Sequence, residues 1–88
     1  MTFWVYGIQS ELSGRIYIGQ TDSLLRRVDE HNAGRVKFTK DQRPWKVIAV
    51  EIFRYRNDAR WRENCLKKSK SQREKWIDEM SSVASANF

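Results

Sequence analysis

The chain has 88 residues, 17 Lys plus Arg against 11 Asp plus Glu, a net charge of +6, 40% apolar residues and 12% aromatics. This length allows one domain with a small core and no separate substrate-binding domain. One cysteine, Cys65, and one histidine, His31, exclude an intramolecular disulfide and a Cys/His zinc site built by a single chain.

The N-terminus lacks a basic segment followed by an apolar one, so no signal peptide is expected. The longest apolar stretches, Phe3 to Tyr6 and Val47 to Val50, fall far short of the ~20 residues of a membrane span. With the lone cysteine, this leads to the expectation of a soluble, cytoplasmic protein with no membrane partner. Oligomeric state is not legible, and a monomer is assumed.

Thr2 to Gln9 is aromatic and β-branched and predicts a strand. Ser10 to Gly14 is a turn-length break. Arg15 to Gln20 is a second strand, in which Ile16 and Ile18 alternate with Tyr17 and Gly19, so the two form an antiparallel hairpin. Thr21 or Asp22 can cap a helix from Ser23 to about Asn32, with Leu24, Leu25 and Val28 as its apolar stripe and Gly34 ending it. Ala33 to Arg43 is a basic loop. Pro44 forbids helix and starts an extended run, Trp45 to Phe53. Asn57 or Asp58 can cap a second helix through about Lys68. Ser69 with Gln72, or Ser71 with Glu74, has capping-box spacing for a third helix carrying Trp76, Ile77 and Met80. The order β-β-α-β-α-α predicts an α+β fold, a three-stranded antiparallel sheet flanked by helices. The domain is expected over residues 1–80, and the small, polar stretch 81–88 is expected to fray as a flexible tail.

The positive charge is concentrated. Arg35 to Lys46 carries net +4 and Arg54 to Lys75 net +6, while the remainder carries −4. Two basic segments of this kind are how a polyanion-binding face appears in a sequence. Lys37, Lys40, Arg43, Lys46, Arg60, Lys67 and Lys70 are the candidate nucleic-acid contacts.

Glu63 stands out on the second helix. At about 100° per residue it lies about 40° from Ala59 and about 60° from Leu66, beside the apolar face. A carboxylate there must be hydrogen-bonded, paired with an arginine, or bound to a cation. A hard divalent cation often takes only one or two protein carboxylates. Arg27 and His31, four apart, share one helix face at the edge of its apolar stripe. An arginine there can hold a phosphate or can be an ordinary surface cation. Tyr6 and Tyr17 lie on neighbouring strands. Strand tyrosines are usually sheet packing, yet a phenol can act as a general base when a cation lowers its pKa. Gly19 at the end of a strand suggests close backbone approach.

Together, Tyr6, Tyr17-Ile18-Gly19, Arg27, Glu30-His31-Asn32, Gly34, Pro44-Trp45-Lys46 and Arg62-Glu63 resemble the GIY-YIG endonuclease superfamily, in its small stand-alone branch. The resemblance covers residues 3 to 77. It implies hydrolysis of one nucleic-acid strand with a single divalent ion, Mg²⁺ or Mn²⁺. On that likeness Glu63 is the metal ligand, Tyr6 the general base toward water, His31 its aid in moving protons, Arg27 the phosphate ligand, Tyr17 an orienting group and Gly19 structural. The first motif here reads Trp4-Val5-Tyr6 where the family has Gly-Ile-Tyr. An asparagine that some members carry after the metal-binding helix has no clear equivalent. The expected function is cleavage of DNA, more than of RNA, with preference for structure over sequence. The alternatives are a nucleic-acid-binding module on the same fold that does not cut, and an interaction domain for another polypeptide. On this likeness Tyr6→Phe is expected to cost far more activity than stability.

Overall fold

The structure, a computed structural model, describes residues 1–87. Strands β1 (Phe3–Ser10), β2 (Ile16–Thr21) and β3 (Trp45–Phe53) and helices α1 (Leu24–Asn32), α2 (Arg56–Lys68) and α3 (Lys70–Asn87) follow one another in the order β-β-α-β-α-α. The sheet is antiparallel with order β2-β1-β3, so the fold is α+β as the pattern of elements predicted.

β1 is the central strand, and its register sets the two faces. Tyr6 stands between Gly19 of β2 and Val50 of β3, and Ile8 pairs with Tyr17. Strand alternation sends Tyr6, Ile8, Tyr17, Trp45 and Val50 to one face, where Leu24 and Val28 of α1 close over them. Phe3, Val5, Ile18 and Ala49 point to the other face, against Ala59 and Leu66 of α2 and Trp76 of α3. Val5, Ile8 and Val50 have no exposed surface, and each such side chain contributes about 1.5–3 kcal/mol on burial.

Local chemistry explains the ends of the elements. Gly14 and Gly34 both have positive φ, at the hairpin turn and just past α1. Thr21 Oγ1 accepts from the Ser23 amide in a turn leading into α1, whose first flanking residue is Ser23. α2 begins at Arg56, ahead of the expected Asn57 or Asp58, and its cap position, Tyr55, makes no side-chain hydrogen bond. The Gln72 amide donates to Ser69 Oγ, so Ser69 is the serine that starts α3.

α3 departs from expectation at its far end. It continues past residue 80 to Asn87 with no break at 81, and Ala84 is 2% exposed. Trp76, Met80 and Ala84 are spaced by four, so the apolar stripe runs on through the small residues. The Phe88 end of the expected tail lies outside the described residues.

Candidate active site

Four of the sequence-predicted residues meet on the α1 face of the sheet. The Tyr6 and His31 rings are 5.7 Å apart, Tyr17 and His31 5.0 Å, and the two tyrosines 6.5 Å. Gly19 makes this possible, because a Cβ on it would lie 2.6 Å from Tyr6 Cζ. The close approach suggested by that glycine is therefore to the Tyr6 ring, packed against bare backbone.

A hydrogen-bonded chain runs from the phenol inward. Tyr6 Oη lies 2.8 Å from His31 Nε2, and His31 Nδ1 lies 2.8 Å from Thr39 Oγ1. The Thr39 hydroxyl donates to the Val36 carbonyl at 3.3 Å. Its oxygen is then the acceptor, so His31 carries its proton on Nδ1 and presents a bare Nε2 to the Tyr6 hydroxyl. His31 and Thr39 have no exposed surface and Tyr6 has 1%.

The electrostatics agree with that tautomer. Burial, and secondarily the nearby Arg27 charge, lowers the His31 pKa to about 4, so the ring is neutral at pH 7. Burial pushes Tyr6 up to about 12, although a hydrogen bond from Arg27 works against the rise. The resting phenol is protonated and poised against a neutral base. Arg27 also pairs with Glu30 at 3.2 Å.

Glu63 stands at the rim. α2 contacts both β1 and the edge strand β2, and the Glu63 charge contributes to the raised Tyr6 pKa. Its carboxylate is mostly shielded and is paired, as its position on the helix required. The partner is Lys67, whose Nζ is 2.9 Å from Glu63 Oε2, and not an arginine. The same ammonium lies 5.9 Å from the centre of the Tyr17 ring. Among the described residues no group of three or more His, Cys, Asp or Glu side chains could hold a metal. Glu63 would suit a hard divalent ion that keeps most of its waters only with the Lys67 ammonium displaced from it.

The proposed nucleic-acid contacts separate into groups. Lys37 and Lys40 are exposed on the loop that Thr39 ties to His31. Arg43, exposed on the same loop, donates to the Lys40 carbonyl and packs on Gly34. Arg60 is exposed on α2, three residues before Glu63, and Lys67 is four residues after it. Lys46 pairs with Gln9, and alternation turns it to the sheet face opposite Tyr6. Lys70 is exposed and within 4.0 Å of Glu74.

Two site residues carried no local signal. Thr39 is one hydroxyl in a basic loop, and only the tertiary structure sets it on His31. Asn32 clamps the start of β3, donating to the Trp45 carbonyl and accepting from the Trp45 amide. Its place beside His31 in the motif was the available hint.

Comparison with known proteins gives the family. The family model described as the GIY-YIG catalytic domain matches residues 2–76. A UPF0213 protein of Listeria innocua is 43% identical over 65 residues, covering 72% of each chain. The human structure-specific endonuclease subunit SLX1 is 35% identical over 52 residues, which is 54% of this chain and 19% of that one. The solution structure of UPF0213 protein BH0048 from Bacillus halodurans superposes with a TM-score of 0.60 at 25% identity, covering 92% of this chain and 87% of the other. A matched segment that contains both tyrosines, the arginine, the histidine and the carboxylate, on a fold shared with a solved relative, makes this chain a member of the GIY-YIG catalytic-domain family.

Proposed function

We propose that the chain is an endonuclease that hydrolyses phosphodiester bonds of DNA with one Mg²⁺ or Mn²⁺ held by Glu63, choosing substrates by structure and not by sequence. The observation that carries this reading is the buried Tyr6–His31–Thr39 chain, in which a phenol faces the bare nitrogen of a neutral imidazole. Such a pair can pass a proton inward. As water attacks phosphorus, Tyr6 takes the water proton and gives its own to His31 Nε2, with no free phenolate formed. Arg27 binds the phosphate through paired donors. The bound anion also offsets the Arg27 charge that helps hold His31 at low pKa, so substrate raises the proton affinity of the base when it is needed. Tyr17, edge-on to His31, orients the ring. The divalent ion, when bound, supplies Lewis-acid charge that stabilises the anionic transition state.

The printed name of the human relative, a structure-specific endonuclease subunit, supports preference for structure. The exposed cations Lys37, Lys40 and Arg60 suit a phosphate backbone. The one free cysteine, Cys65, fits a reducing, cytoplasmic setting. A second reading, a nucleic-acid-binding module without cleavage, draws on Lys67, whose ammonium already neutralises the proposed metal ligand.

A cleavage panel decides between them. Duplex, branched and single-stranded DNA and RNA are incubated with Mg²⁺ or Mn²⁺, with Glu63→Ala and Arg27→Ala as controls. Metal-dependent cleavage lost in both variants is the expected result. Wild-type protein that leaves every substrate intact, or Glu63→Ala that cuts as well as wild type, defeats the enzyme reading.

A further inference from the structure

We infer that the cleft between Tyr17 and Phe38 is a stacking site for one unpaired nucleobase beside the scissile phosphate, so that the preferred substrate is DNA with an unpaired nucleotide at the cleavage point. This deepens the nuclease reading and rests on it.

Phe38 is 83% exposed, on a loop whose Val36 and Thr39 side chains turn inward. Val36 is buried, Thr39 has no exposed surface, and the indole of Trp45 donates to the Thr39 carbonyl at 2.8 Å. The backbone on the C-terminal side of Phe38 is thus anchored to His31 and Trp45. One exposed ring is ordinary on a protein surface; what singles out Phe38 is that its anchored loop sets the ring on the wall of a cleft that reaches Tyr17.

What it would contact follows from its surroundings. Phe38 lines a cleft of about 360 Å³ with Arg15, Ile16, Tyr17, Gln42 and Trp45. That volume is at the small end of ligand sites, ~300–1,000 Å³. Tyr17 belongs to both the cleft and the catalytic cluster, so an occupant lies directly beside the reacting centre. Arg15 lines it, and Lys37 and Lys40 are exposed on the loop that carries Phe38. Aromatic and aliphatic walls bordered by cations are the chemistry that holds a base by its face and the strand by its phosphates. A base paired inside a duplex has both faces covered by its neighbours and cannot enter, whereas a flap, gap or bulge nucleotide can.

The test is equilibrium binding in EDTA, where no cleavage occurs. The probes are a flapped DNA carrying 2-aminopurine at the first unpaired position and the fully paired duplex of the same sequence. Wild type is expected to prefer the flapped DNA and to quench the 2-aminopurine on binding. Phe38→Ala is expected to lose the quench and about tenfold in affinity for flapped DNA, which corresponds to ~1.4 kcal/mol, within the range of one stacked base. Phe38→Trp is expected to keep both. Since Phe38 is exposed, an unchanged melting temperature shows that the fold is intact. If Phe38→Ala binds and quenches as wild type does, the cleft is not a base site, and metal-dependent cleavage by wild type still leaves the nuclease reading standing. If wild type binds neither DNA, the stacking site falls, and the cleavage panel decides the nuclease reading separately.

Discussion

Tyr6→Phe removes one oxygen and tests the centre of the site. That oxygen lies 2.8 Å from His31 Nε2, and both residues are buried, at 1% and 0% exposure. The variant leaves a buried imidazole acceptor without its protein donor. Such an orphaned group costs ~1–3 kcal/mol. In a domain of this size each kcal/mol moves the melting temperature by roughly 4–8 °C, so a fall of about 5–20 °C is expected. The sequence by itself predicts a far larger loss of activity than of stability. The structure adds the stability cost, because the phenol is also a packing partner of the histidine. Cleavage is expected to fall by about 10²–10⁴-fold, the usual contribution of a positioned proton acceptor. The assays are differential scanning calorimetry, single-turnover cleavage, and nitrogen-15 NMR of His31, which should show Nδ1 protonated and Nε2 bare in wild type. A variant that melts with wild type, or a wild-type ring protonated at Nε2, would refute the hydrogen-bonded chain as described.

Gly19→Ala places a methyl 2.6 Å from Tyr6 Cζ; it should destabilise by ~1–3 kcal/mol and break the Tyr6–His31 contact, which urea unfolding and the His31 NMR signals would register. Thr39→Val leaves the His31 Nδ1 proton without an acceptor and should cost ~1–3 kcal/mol in the same unfolding assay, while Thr39→Ser should recover most of it. Acid should weaken the fold before the carboxylates titrate. His31 has a folded pKa of about 4 against 6.5 for the free side chain, so between those values the unfolded chain binds more protons. Its contribution is therefore fully present above pH 6.5 and is lost as pH falls toward 4, by about 3 kcal/mol in total. Urea midpoints measured from pH 8 down to pH 5 should be level at first and then decline, and a flat profile would mean that His31 is not held neutral.

Much of the fold was legible because its signals are local. β-Branched runs, the two positive-φ glycines, the serine before α3 and Pro44 each act within a few residues, and β3 falls on Trp45–Phe53 as the sequence predicted. α3 runs on to Asn87, past residue 80, because the four-residue spacing of Trp76, Met80 and Ala84 carries its apolar stripe through a small, polar stretch. For the site, the sequence supplied the residue types and the family resemblance, including Glu63 on the inward edge of α2.

What it could not supply were partners distant along the chain. Tyr6 and His31 are 25 residues apart, and their contact depends on the β1–β2 register, on the missing side chain of Gly19 and on how α1 docks. The choice of Thr39 as the second partner of His31, of Lys67 as the cation on Glu63, and of Phe38 as the residue left in water were decided the same way. Periodicity and capping determine which elements form, since they arise from neighbours one turn or one strand pair away. Which side chains share a proton is set by packing between elements, and that exists only once the sheet and helices have come together.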